Sequence, residues 1–240
     1  MGDFDLISFA SDDELARAAA VAWLKEVESA NRIGAAHCVA LSGGRIVRKF
    51  FGTVTEQAEA GAVAFKRIQF FWADERCVLP DDRESNFRLA RERLLAPLKI
   101  ADAQIHRVRG EAPADLAAAE AEAEICCIAP QNPVGQPVLD LIFLGMGEDG
   151  HVASLFPGEP EEIVSSTSVY RAVVATKPPA RRITLGYAAI AAARQVWVLA
   201  SGPGKEAALR ESLRPGGQTP LARMLRLRDY TRVFSDIQPV

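Results

Sequence analysis

Apolar and polar positions follow two periods along the chain. Short apolar runs rich in β-branched and aromatic residues predict strands at His37–Leu41, Ile68–Trp72, Val138–Leu144, Val169–Ala175 and Gln195–Ala200. Between them, alanine-rich stretches predict helices near Asp12–Ser29, Ser85–Leu95, Ala114–Ile128, Leu185–Ala193, Lys205–Leu213 and Leu221–Leu225. The first helix is the best delimited. Ser11 is placed to cap it, Glu14 follows three residues later, and Asn31 and Gly34 are stop signals. Strands alternating with helices are the pattern of an α/β domain with a largely parallel sheet. No internal repeat or low-complexity linker interrupts residues 1–240, which read as a single domain.

In open α/β sheets, ligands bind beyond the carboxyl ends of the strands, so the segments after the strands carry the chemistry. Here they are Ser42-Gly43-Gly44-Arg45, Ala73-Asp74-Glu75-Arg76, Gly145 to His151, Thr176 to Arg182 and Ser201-Gly202-Pro203-Gly204-Lys205. Each is glycine-rich, charged or both. Bare backbone N–H groups, several cations and a histidine are suited to gripping a phosphorylated small molecule and moving a proton. Ser42, Gly43 and Gly44 read as a nest for an anion. Gly145, Gly147 and Gly150 match the spacing of a dinucleotide-binding turn, but Pro157, Gly158 and Pro160 leave no room for the helix that such a turn opens. Ser42 as the nucleophile of a hydrolase elbow fits poorly as well. The downstream histidines are His106 and His151, and His151 stands only two residues from Asp149.

Composition narrows the classes further. With 240 residues, 49% of them hydrophobic, the chain is long enough to bury a full core. A formal net charge of -3 and the absence of long basic runs argue against a nucleic-acid binder. No apolar run approaches the roughly 18 residues of a membrane span, and the acidic opening Met1-Gly2-Asp3-Phe4-Asp5 is unlike a signal peptide, so a cytoplasmic protein without membrane contact is expected. The four cysteines, Cys38, Cys77, Cys126 and Cys127, show no CxxC spacing and predict neither a disulfide framework nor a metal site.

Five sequence features together carry a family resemblance. They are Leu41-Ser42-Gly43-Gly44, Trp72-Ala73-Asp74-Glu75-Arg76, Ser85-Asn86, the run from Gly145 to Gly158, and Lys177-Pro178-Pro179 with Arg182-Ile183-Thr184. The chain resembles the 6-phosphogluconolactonases, whose fold is shared with glucosamine-6-phosphate deaminases and ribose-5-phosphate isomerases. The decisive segment is Gly147 to Pro157: deaminases share its first half but typically continue Phe-Asn-Glu-Pro, whereas this chain continues Ser154-Leu155-Phe156-Pro157. The resemblance implies a Rossmann-like three-layer α/β fold. It also implies hydrolysis of 6-phospho-D-glucono-1,5-lactone to 6-phosphogluconate in the oxidative pentose phosphate pathway, without metal or organic cofactor.

On that resemblance His151 is the general base and then the general acid, with Asp149 orienting it or capping its turn. The substrate-binding set is Ser42, Gly43, Gly44, Arg45, Asp74, Arg76, Asn86, Gly147, Lys177, Arg182 and Lys205. Asn86 either donates hydrogen bonds near Arg76 or caps the helix that follows it. One departure stands out. Lactonases usually continue the Ser-Gly-Gly turn with a small hydroxyl residue and a proline, where this chain has Arg45-Ile46-Val47. Cys77, next to Arg76, is expected near the site. A phosphorylated sugar lactone is the expected partner, and a monomer or weak homo-oligomer the expected state. The alternatives are a sugar-phosphate deaminase or isomerase of the same fold, for which Asp74 is the candidate base, and a non-catalytic sugar-phosphate sensor.

Overall fold

A strand inside a parallel sheet is covered on both faces, so it must be apolar at consecutive positions. His37–Leu41, buried at all five residues, meets that demand and forms β2 near the centre of the sheet. The computed structural model describes residues 3–237; Met1 and Gly2, which open the acidic amino-terminal segment, lie outside them. Six parallel strands make the main sheet in the order β1-β9-β8-β5-β2-β3. They are β1 (Asp3–Ser8), β2, β3 (Ile68–Trp72), β5 (Leu141–Gly145), β8 (Gln195–Ala200) and β9 (Tyr230–Ser235). From β2 the chain moves to β3 on one side, while β5 and its successor β8 lie on the other. The point of reversal, between β2 and β5, opens a crevice at the carboxyl ends of both strands.

Helices α1 (Asp12–Ile33) and α2 (Arg45–Ala60) pack side by side, α1 against β9 and α2 against β8. Ser11 caps α1, its Oγ accepting the Glu14 N–H at 3.2 Å, and Gly34 closes the helix in the left-handed conformation. Trp23 of α1 and Phe50 of α2 meet Phe143 of β5 at centroid distances of 5.0 and 4.9 Å, and Trp197 of β8 extends the cluster. The sequence reading missed α2 and treated Arg45 as part of a loop. In the structure Gly44, at φ 109°, is the residue before the helix, and Ile46, Val47, Phe50, Phe51, Val54 and Ala58 form its buried face. Gly52 lies inside this helix with nothing within 4 Å of where a Cβ would stand. Gly52→Ala is therefore expected to stabilise the protein by about 0.5–1 kcal/mol and leave activity unchanged, checked by chemical denaturation beside an activity assay.

A second, antiparallel sheet has the order β4-β7-β6, with β4 (Asp74–Arg76), β6 (Tyr170–Val174) and β7 (Arg181–Leu185). This corrects the expectation for Val169–Ala175, which does not join the parallel sheet. The run is short and apolar in the same way as the central strands, and its pattern holds no information about which strand it pairs with. Helix α4 (Ala114–Ile128), at its predicted bounds, packs on β6 and β7. Helix α3 (Asn86–Ala90) begins after Ser85 and runs on into a π-helical turn, Arg91–Leu95. The chain is completed by α5 (Glu161–Val164), α6 (Tyr187–Ala192), α7 (Glu206–Leu213) and α8 (Pro220–Arg226). Leu185, expected to open a helix, instead ends β7. Among the described residues no helix is long and apolar enough to cross a membrane.

Candidate active site

Four consecutive strands of the main sheet, β8, β5, β2 and β3, send their carboxyl ends to one edge. The cleft there is lined by Ser42, Gly43, Gly44, Arg45, Ile46, Asp74, Arg76, Gly145, Met146, His151, Ala153, Arg182 and Lys205. Its volume is about 130 Å³. Pockets that bury drug-sized ligands hold roughly 300–1,000 Å³, so a sugar phosphate left partly open to solvent fits and a buried dinucleotide does not. The Gly145 to Gly150 turn also leads into a short irregular segment rather than a helix. Both observations set aside the dinucleotide reading.

His151 stands on a turn closed by its own backbone: the Gly147 N–H donates to the His151 carbonyl at 2.9 Å and the Gly150 N–H to the Gly147 carbonyl at 3.1 Å. Asp149 Oδ1 accepts the backbone N–H of His151 at 3.1 Å and faces ring Nδ1 at 2.5 Å. Residues two apart do pair here, so Asp149 both caps the turn and orients the ring. Burial pushes the Asp149 carboxyl up, but the His151 backbone N–H and the facing imidazole outweigh it, and the net shift is downward. With Nδ1 engaged by the carboxylate, the other ring nitrogen is the one left to act on a ligand. Gly147 does not line the cleft. Its missing side chain is the ring's seat, because a Cβ there would stand 2.1 Å from His151 Cε1 and Nδ1. Helix α8 holds the turn from behind: Gly150, at φ 78°, lies against Thr219, and the Leu221 N–H donates to the Gly150 carbonyl at 3.0 Å. Ala153, at φ 49°, carries the strain of a left-handed non-glycine residue at the cleft wall.

At the β2 end, Ser42 Oγ donates to the Phe143 carbonyl at 2.7 Å and is buried, which removes it as a nucleophile and ties β2 to β5. Gly43 is required by close approach, since a Cβ would fall 1.9 Å from Asn86 Oδ1. Past Gly44 the amino end of α2 faces the cleft, and its first N–H groups have no partner within the helix. Arg45 opens that helix, and its guanidinium leans on the turn after β8, where a Cβ on Gly202 would meet Nη2 at 3.3 Å. Lys205 stands close by. Burial, and then the charge of Arg45, lower its pKa.

Arg76 and Arg182 are directly opposite each other across the antiparallel β4–β7 pair. Like charges in that register repel, so the pair is unfavourable unless electron-rich groups meet it. Burial and the Arg76 charge lower the pKa of Arg182, which is only 7% exposed. Its Nε donates to the Pro179 carbonyl at 3.0 Å, and its guanidinium lies 5.6 Å from the Phe156 centroid, with Phe156 in turn against His151 at 5.0 Å. Arg76 Nη1 donates to the Glu84 carbonyl at 2.6 Å, and its buried Nε has no protein partner. Asp74 Oδ2 accepts the Ser154 hydroxyl at 2.7 Å, and its Oδ1 accepts from Asn86 Nδ2 at 3.1 Å.

Over residues 10–233 the sequence matches the family described as glucosamine-6-phosphate isomerases/6-phosphogluconolactonase. The chain belongs to this family. A 6-phosphogluconolactonase of Mycobacterium tuberculosis is 39% identical over 171 residues, covering 69% of this chain and 68% of the relative. One from Streptomyces coelicolor is 32% identical over 225 residues, covering 91% and 86%. Among solved structures, the 6-phosphogluconolactonase of Trypanosoma brucei superposes with a TM-score of 0.87 at 26% identity, covering 99% of this chain and 98% of that one. A monomeric glucosamine-6-phosphate deaminase shares the fold at TM-score 0.80 and 19% identity, with 96% and 97% covered.

Within this family fold, not every residue singled out from the sequence reaches the cleft. Lys177 is exposed and faces Glu148 at 3.6 Å, because the Thr176–Arg182 segment is the β6–β7 hairpin rather than a loop at the end of the main sheet; only Arg182 of it lines the cleft. Asn86 stands behind the wall, its Nδ2 donating to the Asp74 carbonyl at 2.9 Å, and the capping role falls to Ser85, whose Oγ accepts the Arg88 N–H. Cys77 does not line the cleft, and burial raises its thiol, which makes it a poor nucleophile. The sequence reading missed Glu75, 2% exposed, whose carboxylate accepts the backbone N–H groups of Arg76, Asn86 and Phe87. It also missed Ser154 and Thr219. The polar position amid Trp72-Ala73-Asp74-Glu75 was the available signal for Glu75, since strand alternation turns it away from the face shared by Asp74 and Arg76.

Proposed function

We propose that this protein hydrolyses 6-phospho-D-glucono-1,5-lactone to 6-phosphogluconate, with His151 as the proton carrier. The observation that carries the reading is the Asp149–His151 contact in a cleft shared with Arg45, Arg76, Arg182 and Lys205. An imidazole oriented by a carboxylate among cations suits attack on an electrophilic carbonyl in an anionic substrate. The named lactonase relatives and the Ser154-Leu155-Phe156-Pro157 continuation support the same substrate.

In this reading the phosphate sits at the amino end of α2, between its free N–H groups, Arg45 and Lys205. The lactone ring then extends toward His151. The free imidazole nitrogen takes a proton from water as the oxygen attacks C1, and the carbonyl π electrons move onto oxygen. Arg76 and Arg182 stabilise the resulting oxyanion and hold ring hydroxyls. Collapse breaks the bond between C1 and the ring oxygen. The imidazolium returns its proton to that oxygen, and the new carboxylic acid ionises. Asp149 keeps the ring in one orientation and stabilises its cationic form. Such lactones also open unaided, so each tenfold acceleration requires only about 1.4 kcal/mol.

The test is acid release from freshly generated lactone with and without the protein. Acceleration over the spontaneous rate, with no turnover of glucosamine 6-phosphate, is expected; the reverse result would transfer the assignment to the deaminases. Arg45→Ala is expected to raise KM by about tenfold, the worth of one charge-assisted contact at an open rim, with kcat unchanged. An unaltered KM in steady-state assays would place the phosphate elsewhere.

A further inference from the structure

Strand β4 presents Asp74 and Arg76 to the cleft, and the alternation of side chains turns Glu75 to the opposite face, into the protein. A carboxylate with 2% exposure is costly unless its lone pairs are used. Here four donors converge on it. Oε1 accepts the backbone N–H of Arg76 at 2.7 Å and of Asn86 at 2.8 Å. Oε2 accepts the backbone N–H of Phe87 at 2.7 Å and the Ser85 hydroxyl at 3.2 Å. The first donor belongs to a residue at the cleft, and the other three belong to the start of α3.

We propose that Glu75 is a positioning residue of the active site, one buried carboxylate that locks β4 to the start of α3 and so fixes Arg76 and Asn86. Asn86 passes the constraint on. Its side-chain amide donates to both the carbonyl and the carboxylate of Asp74, and its Oδ1 occupies the space that Gly43 leaves empty. One carboxylate thus aligns the β4 wall with the β2 turn, although it touches no substrate.

The ionised form is the one that accepts all four donors. A protonated carboxyl must turn one of those lone pairs into a donor, which loosens the clasp. Burial raises the pKa of Glu75 to about 7, against the pull of the hydrogen bonds from Arg76, Asn86 and Phe87. With the folded value above the ordinary 4.5, the folded state binds the extra proton in this window, and stability from this group declines as pH rises from 4.5 to about 7. The clasp therefore tightens over the same interval in which the buried charge becomes costly. The charged and titratable groups around it are Asp74 and Arg76 on its own strand, Cys77 just beyond, and Arg107, which is itself paired with Glu111.

The inference rests on the lactonase reading for its kinetic test and has an independent spectroscopic one. Glu75→Gln keeps the volume and removes the charge. It is expected to fold, to raise KM by about tenfold through the weakened charge-assisted bonds with a smaller change in kcat, and to shift the side-chain amide resonance of Asn86. Wild-type KM is expected to rise as pH falls below about 7, more steeply than that of the variant. The two proteins differ only at this carboxylate, so the difference between their profiles reports on Glu75. A folded variant with wild-type KM, pH profile and Asn86 resonance would overturn the proposal. If the wild type shows no turnover, the functional reading fails while the Asn86 resonance still decides the role of Glu75. Should Glu75→Gln not fold, Ser85→Ala removes one of the four donors; a KM raised a few-fold supports the clasp and an unchanged KM overturns it.

Discussion

His151→Ala is expected to reduce the acceleration of lactone opening by about 10²–10⁴-fold, the contribution of a well-placed general acid–base group. The loss is expected to fall on kcat, because the cations proposed to hold the phosphate are elsewhere in the cleft. The fold is expected to tolerate the change. The His151 side chain is 28% exposed, and its ring contacts are with Asp149 and Phe156 rather than with the central core. Acid release followed beside a thermal melt separates the two effects: a folded variant at the spontaneous rate supports the assignment. A folded variant that keeps wild-type kcat would move the base to Asp74, the remaining titratable acid lining the cleft.

Gly147→Ala is expected to cost nearly as much without removing any reacting group. The added methyl would stand 2.1 Å from two atoms of the His151 ring and 2.8 Å from Asp149 Oδ1, so the ring must leave its seat. A displacement of about 1 Å at a reacting group costs on the order of 10²-fold. The expected signature is a fall in kcat with KM near wild type, together with a changed imidazole environment in histidine NMR spectra. A variant with normal kcat would mean that the ring acts from a second position. The two substitutions differ in what they test, one the group and the other its placement.

The His151 turn was legible because its glycines are spaced by physical necessity: one makes room for a ring, and another adopts a left-handed backbone against α8. The strands that mount it were legible for a related reason, since strands covered on both faces need apolar residues at consecutive positions. Helix α2 was not. Its buried residues Ile46, Val47, Phe50, Phe51 and Val54 are β-branched or aromatic and locally favour extended structure. Packing of this face against α1 overrides that preference, and the charge of Arg45 made the helix start look like loop. The antiparallel sheet was hidden for another reason. Pairing between β4 and β7 joins residues about a hundred positions apart, and nothing in either segment names its partner. Arg182 was picked out by its charge, but its place opposite Arg76 emerges only from that pairing. Lys177 carries the same sign in the same hairpin and points away.

The strand order has a consequence for how the molecule is made. Among the described residues β1 pairs only with β9, the last of their strands, which lies between it and β8. A nascent chain emerging amino end first cannot seat its opening strand until some two hundred further residues have left the ribosome. The His151 turn waits as well, because α8, which braces it, comes late in the sequence. A chain stopped before Thr219 would retain every residue that lines the cleft and lack the helix that braces the His151 turn.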